Sequence, residues 1–309
     1  MNRVQEIALA FPRGVHQELF IEGVLRYARE HACEWSYITA PESLALSVLD
    51  LVGWPGDGIL AAIDTRDEAE CAASLAMPVV NISSALPDSP VPRSIVDNSA
   101  IGALAAEHLL SRAFPSYAYY GLSDVWYSQA RQDGFRSKLA DANHQSIEFL
   151  SAATFHTLSE GPGNNVWLQQ HRALADWLSS VETPCGLFAV SDYRARQALD
   201  ACRRVGLRVP EQVAVIGVDN EQVICEHSHP SLSSVARNDQ LEGYRAAHLL
   251  HRLLSGDEAA PEAQVIPPLQ VVERDSTATF AVSDDRLQTC LEFLHNHIEQ
   301  RITIEDVIK

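Results

Sequence analysis

Residues Gly186–Asn220, GLFAVSDYRARQALDACRRVGLRVPEQVAVIGVDN, decide the fold. Gly186–Val190 is a short apolar run of the kind a parallel strand needs when both its faces are covered. Val213–Val218 is a second such run. Between them Ala195, Ala198, Leu199, Cys202 and Val205 recur at helical spacing, so the stretch reads as strand, helix, strand. Each strand runs into an acid, Asp192 after the first and Asp219 after the second. Ligands of open α/β sheets bind beyond the carboxyl ends of the strands, which places both carboxylates on one rim. Two fixed carboxylates suit a neutral polyol, because each accepts hydroxyl hydrogens in charge-assisted bonds. An acid after a strand also serves as the N-cap of the next helix, and that is the alternative for Asp192.

The same alternation extends in both directions. Arg3–Phe11 reads as strand one, and Leu19, Phe20, Val24, Tyr27 and Ala28 form the apolar stripe of the helix after it. Further strands are expected at Glu34–Ile38, Gly58–Ile63 and Pro78–Ile82, and Ser94–Asn98 leads into a helix built on Ile101, Leu104, Ala105, His108 and Leu109. A second set begins with strand Tyr117–Gly121, helix Ser128–Asp141 and strand Ile147–Leu150. Helix Asn164–Val181 carries Trp167, His171, Leu174, Trp177 and Leu178 as a buried stripe, with its tryptophans read as core. After Asn220 the pattern weakens until helix Leu241–Leu254, and Leu269–Glu273 reads as a last strand. Alternation throughout implies two doubly wound α/β lobes, the second inferred from length and unit count in the absence of a close internal repeat.

Composition narrows the function. With 309 residues, 46% of them hydrophobic and 21% charged, the chain has room for two ordinary α/β domains. A net charge of −18 argues against the body of the protein gripping a phosphate backbone. No cleavable signal opens the sequence and no apolar run reaches membrane-spanning length, so a cytoplasmic protein without a membrane partner is expected. Six scattered cysteines without a CxxC pair are expected to be reduced and mostly buried.

Several chemistries find no support. There is no GxxxxGK[ST] loop, no GxGxxG after strand one, no GxSxG elbow and no HExxH. The glycines of Gly53–Gly58 precede a strand where a phosphate loop would follow one, and are read as a turn. Cys225-Glu226-His227-Ser228-His229 offers metal-capable side chains but no fourth distant ligand, so neither metal nor cofactor is expected. An acid–base pair from Asp192 and Asp219 keeps a glycosidase in view, and an exported sugar-binding protein is the other rival.

Taken together, Val190-Ser191-Asp192, Gly206–Glu211, Val215–Asn220 and His229–Val235 resemble the effector domain of LacI/GalR-type regulators. Val96-Asp97-Asn98, Arg131–Phe135 and Glu273–Thr277 fall in the same order, so the resemblance spans residues 4–278. It implies a type I periplasmic-binding-protein-like fold in an effector domain of residues 1–280. Lobe one would be about 4–114 plus 237–264, and lobe two about 115–235 plus 265–280, with the ligand in the cleft between them. Family members contact their ligand through the positions of Asp219 and Arg131, the position of Asp192, and the loop after strand one, here Arg13, His16 and Gln17. Asp64 and Arg237 join the set by position, and Trp126 and Tyr127 offer a ring for a pyranose face or, alternatively, a buried aromatic.

The tail differs. Asp284–Gln300 sets Leu287, Leu291, Leu294 and Ile298 on one helical face, and Thr303–Asp306 has the form of a capping-box start. Residues 284–309 resemble the opening of an AraC-type helix-turn-helix domain, incomplete here. The combination implies a transcription regulator, not an enzyme, with a monosaccharide effector, D-xylose first, and a homodimer as the assembly. Operator DNA would be bound only through the missing part of the C-terminal domain.

Overall fold

The computed structural model describes residues 3–12, 15–40, 45–152, 166–257, 263–281, 285–297 and 303. In chain order the elements are β1 (Gln5–Ala10), α1 (Val15–Glu30), β2 (Trp35–Thr39), β3 (Gly58–Ala61), α2 (Arg66–Ser74), β4 (Val79–Asn81), β5 (Ser94–Val96) and α3 (Asn98–Leu110). Next come β6 (Ser116–Ser123), α4 (Trp126–Asp141), β7 (Ser146–Ala152), α5 (Val166–Ser179), β8 (Cys185–Ala189), α6 (Asp192–Val205) and β9 (Val213–Asp219). The chain continues through α7 (Gln222–His227), β10 (Ser233–Ala236), α8 (Asp239–Leu254), β11 (Gln264–Ile266), β12 (Val271–Val272) and α9 (Asp285–Asn296). These elements form two doubly wound α/β units. One takes residues 1–97, 125–127 and 237–268, the other 98–124, 128–236 and 269–309.

In the first unit the sheet order is β2-β1-β3-β4, all parallel. The two-residue period of β1 sends Ile7 and Leu9 to one face, where Phe20 and Val24 of α1 meet Ala246 and Leu250 of α8. Ala8 and Ala10 face the other way, onto Val48, Leu51, Ile59 and Ala72. β5 and β11 form a separate parallel pair in the same unit.

The second unit holds a six-stranded sheet of order β12-β10-β9-β8-β6-β7, parallel except for β12 against β10. On one face Leu187, Ala189, Val213 and Val215 bury against Leu174 and Leu178 of α5 and Ala195, Ala198 and Cys202 of α6. On the other, Phe188 packs on Phe135 of α4 with ring centroids 5.1 Å apart. The change of unit falls after Asp97, so α3 groups with the second unit, ahead of the boundary near 114 read from the sequence. The reason is a close crossing. A Cβ on Gly102 would lie 1.9 Å from the carbonyl oxygen of Arg131, and one on Gly134 would lie 2.0 Å from that of Ser99. α3 and α4 therefore meet backbone to backbone, and the crossing fixes where Arg131 leaves its helix.

All six cysteines are free thiols, with Cys185, Cys202 and Cys225 buried. Among the described residues no helix is long and apolar enough to cross a membrane. The tail helix read over 284–300 is described as α9, with residues 298–300 and 304–309 outside the described set.

Candidate functional site

β9 ends in an uncommon backbone corner. Asp219 has φ 110° and Asn220 has φ 54°. Asparagine tolerates the left-handed region better than most residues, but two such residues in succession store strain, about 1–3 kcal/mol each. Such a corner persists only where its surroundings over-determine it, and here three bonds do so. The Asn220 N–H donates to Ser234 Oγ at 2.9 Å, Arg274 Nη2 donates to Asn220 Oδ1 at 2.8 Å, and the Glu221 N–H donates to Asp192 Oδ2 at 2.8 Å.

Asp192 lies beneath this corner instead of standing open on the rim. It is 1% exposed. Besides Glu221, its carboxylate accepts from Ser234 Oγ at 2.6 Å and Cys225 Sγ at 3.3 Å. Gly217 makes the space: a Cβ there would lie 2.3 Å from Asp192 Oδ1. The N-cap role that the sequence left open for Asp192 belongs to Ser191, whose Oγ accepts from the Arg194 N–H at 3.3 Å. Burial pushes the Asp192 carboxyl up to about 7, and the charge of Asp219 pushes the same way against the pull of the three donors.

That shift has a sign. Between about pH 4 and pH 7 the folded protein keeps a proton on Asp192 that the unfolded chain has released. The associated stability is present at the acid end and is lost as pH rises through the window. Urea unfolding at about pH 5 and about pH 7.5 is expected to show a larger fall for the wild type than for Asp192→Asn, which carries no such proton. Equal falls would remove this residue from the pH response.

Arg131, 4% exposed, belongs to the same end of the second unit. Its Nε donates to Asn98 Oδ1 at 2.9 Å and its Nη1 bonds the Val190 carbonyl at the end of β8. Asp192, Asp219 and Arg131 are thus all placed at the carboxyl ends of β8 and β9. Trp126 and Tyr127 begin α4, half-buried, with their N–H groups on the carbonyls of Ala85 and Ser84. One face of the Trp126 ring already carries the Arg93 guanidinium, 5.3 Å from its centroid.

In the first unit three expected residues line one cavity. Gln17, Asp64 and Arg237 surround about 230 Å3 together with Phe11, Phe20 and Ser83. Asp64 accepts from Ser83 Oγ at 2.5 Å, and Arg237 pairs with the buried carboxylates of Asp239 and Glu242 at 2.9 and 3.0 Å. Acidic groups outnumber basic ones in this lining, which favours an uncharged hydroxylated guest over an anion. Arg13 lies outside the described residues, as does the side chain of His16.

Asn98, Ser234, Asn220 and Arg274 escaped the sequence reading as site residues. One signal was there to be read: a glycine inside the buried run Val215–Val218 marks a close approach, and Gly217 makes one to Asp192.

Residues 106–277 match the family described as periplasmic binding protein-like domain. The xylose operon regulatory protein of Escherichia coli (strain K12) is 31% identical over 295 residues, covering 93% of this chain and 73% of the relative. The chain belongs to this family of regulators. The corresponding protein of Haemophilus influenzae is 29% identical over 98% of this chain and 78% of its own length. A solved xylose-binding transcription activator superposes with a TM-score of 0.77 at 30% identity, covering 99% of this chain and 78% of that one. A regulator in complex with cellobiose, CelR, superposes with a TM-score of 0.70 at 22% identity over 89% of this chain and 85% of that one, and shows the fold alone. The regulator described here thus has the type I periplasmic-binding-protein-like fold that its sequence implies.

Proposed function

We propose that this regulator responds to a neutral monosaccharide, D-xylose first, bound without chemical change. The observation that carries the reading is the corner at Asp219, a strained acid at the carboxyl end of β9, the same end of the sheet at which Arg131 bonds the Val190 carbonyl. Strain of this kind is retained where a side chain must be aimed at something. Asp219 accepts sugar hydroxyl hydrogens and Arg131 donates to sugar oxygens, while Asp192 holds the corner from below. Gln17, Asp64 and Arg237 are the contacts proposed for the first unit, with Arg13 and His16 kept in the set by resemblance. Trp126 and Tyr127 supply ring surface.

The similarity to xylose regulators at 29–31% identity supports the choice of sugar. The proposal makes the protein a cytoplasmic homodimer that acts on operator DNA through a C-terminal domain of which residues 284–309 are the opening. A ligand moves a conformational equilibrium only by its differential affinity for the two states, so sugar binding must favour one arrangement of the protein over another.

Calorimetric titration with a panel of pentoses and hexoses, together with sugar phosphates and uronates, tests the reading. Saturable heat with D-xylose and none with the charged sugars is the expected result. Binding confined to an anionic sugar, or to none, would overturn it.

A further inference from the structure

The corner that aims Asp219 is tied by one side chain to the segment that runs on to α9. Arg274 Nη2 donates to Asn220 Oδ1 at 2.8 Å and Nη1 to the Leu232 carbonyl at 2.9 Å. Its own N–H donates to Ser233 Oγ at 2.8 Å. The bonds described for its guanidinium go to neutral oxygens, so the arginine acts as a two-pronged clamp on the polypeptide rather than as half of an ion pair.

The residues after Arg274 are pinned beneath the sheet. Ser276 Oγ donates to the Val215 carbonyl at 2.6 Å and accepts from the Ser233 N–H at 2.9 Å. Thr277 Oγ1 meets Ser233 Oγ at 2.7 Å and His108 Nε2 at 2.8 Å. Farther on, Arg112 lies under the Phe280 ring at 4.9 Å, and its carbonyl accepts from the Ala281 N–H at 2.9 Å. α9 begins at Asp285.

We propose that Arg274 is a positioning residue for the sugar site and the link by which occupancy of that site reaches residues 275–281 and α9. The inference rests on the sugar-binding reading of Asp219. Ligand on the Asp219 carboxylate restrains the two-residue corner. Asn220 then offers Arg274 a fixed acceptor, and the clamp tightens on the start of the exit segment. Without ligand, the strained corner is the place where the connection yields first.

The bond can be cut from either end. Arg274→Met removes the donor, and Asn220→Gly removes the acceptor while accepting the same positive φ. The readout is amide hydrogen exchange of residues 275–281 in the full chain, with and without saturating D-xylose, alongside calorimetry. In the wild type, sugar is expected to slow exchange at these amides. In both variants D-xylose should still bind, about tenfold weaker, and at saturation the slowing in 275–281 should be gone. Undiminished slowing in either folded variant would overturn the proposal. An unfolded Arg274→Met leaves Asn220→Gly to decide. Absence of heat in the wild type with every neutral sugar of the panel would instead refute the sugar reading itself, whereas wild-type heat without slowing in 275–281 would refute only the link.

Discussion

Replacing Asp219 by glycine is expected to lower sugar affinity by ten- to hundredfold without lowering the melting temperature. The two halves of that expectation have different causes. A hydrogen bond to an ionised partner contributes about 1.5–3 kcal/mol, and the carboxylate is the acceptor lost. The backbone at this position has φ 110°, which glycine adopts freely, so the substitution removes strain of about 1 kcal/mol or more. Glycine also costs about 0.5–1 kcal/mol in chain entropy, which offsets much of that relief. Removing the Asp219 charge further eases the repulsion on buried Asp192. Asp219→Asn isolates the charge, since asparagine keeps the shape and tolerates the backbone. Calorimetry and thermal unfolding on both variants check the pair of claims. Unchanged affinity would take Asp219 out of the site, and a large drop in melting temperature would make it a structural residue.

The second large effect is expected at Gly102. An added methyl there would sit 1.9 Å from the Arg131 carbonyl oxygen, a backbone atom that cannot swing aside. Gly102→Ala must push α3 and α4 apart. Overpacking typically costs about 1–3 kcal/mol, against a gain of about 1 kcal/mol in helix propensity. Net destabilisation is therefore expected, together with a loss of sugar affinity as Arg131 is carried away from Asn98 and Val190. Denaturant midpoints and calorimetry read the two consequences. Glu107→Ala, on an exposed position of the same helix, should leave the stability within about 0.5 kcal/mol of the wild type. A Gly102→Ala protein as stable and as tight-binding as the wild type would show that the crossing of α3 and α4 does not hold Arg131 in place.

Strands whose stability comes from apolar burial were legible from pattern alone. Gly186–Val190 and Val213–Val218 are observed as β8 and β9, because a strand covered on both faces must be continuously apolar. β10 was not legible that way. Its Ser233 and Ser234 are fully buried, yet their hydroxyls are taken up by Thr277, Asp192 and the chain around Arg274. A strand that buries hydrogen-bonded hydroxyls carries no alternation to read. The site divides along the same line. Position along a strand predicts which end an acid occupies, so Asp192 and Asp219 were expected at the carboxyl ends of β8 and β9. Direction depends on the space beside the acid, and Gly217 opens that space for Asp192.

The first unit takes its last helix from far along the chain. α8, residues 239–254, covers the apolar face of α1 and β1, yet it follows Asp97 by about 140 residues. At synthesis rates of about 5–20 residues per second, the N-terminal portion emerges from the ribosome roughly 7–30 s before its covering helix does. During that interval Ile7, Leu9, Phe20 and Val24 have no partner from α8, so the apolar face of the nascent first unit stays uncovered until the chain is nearly complete.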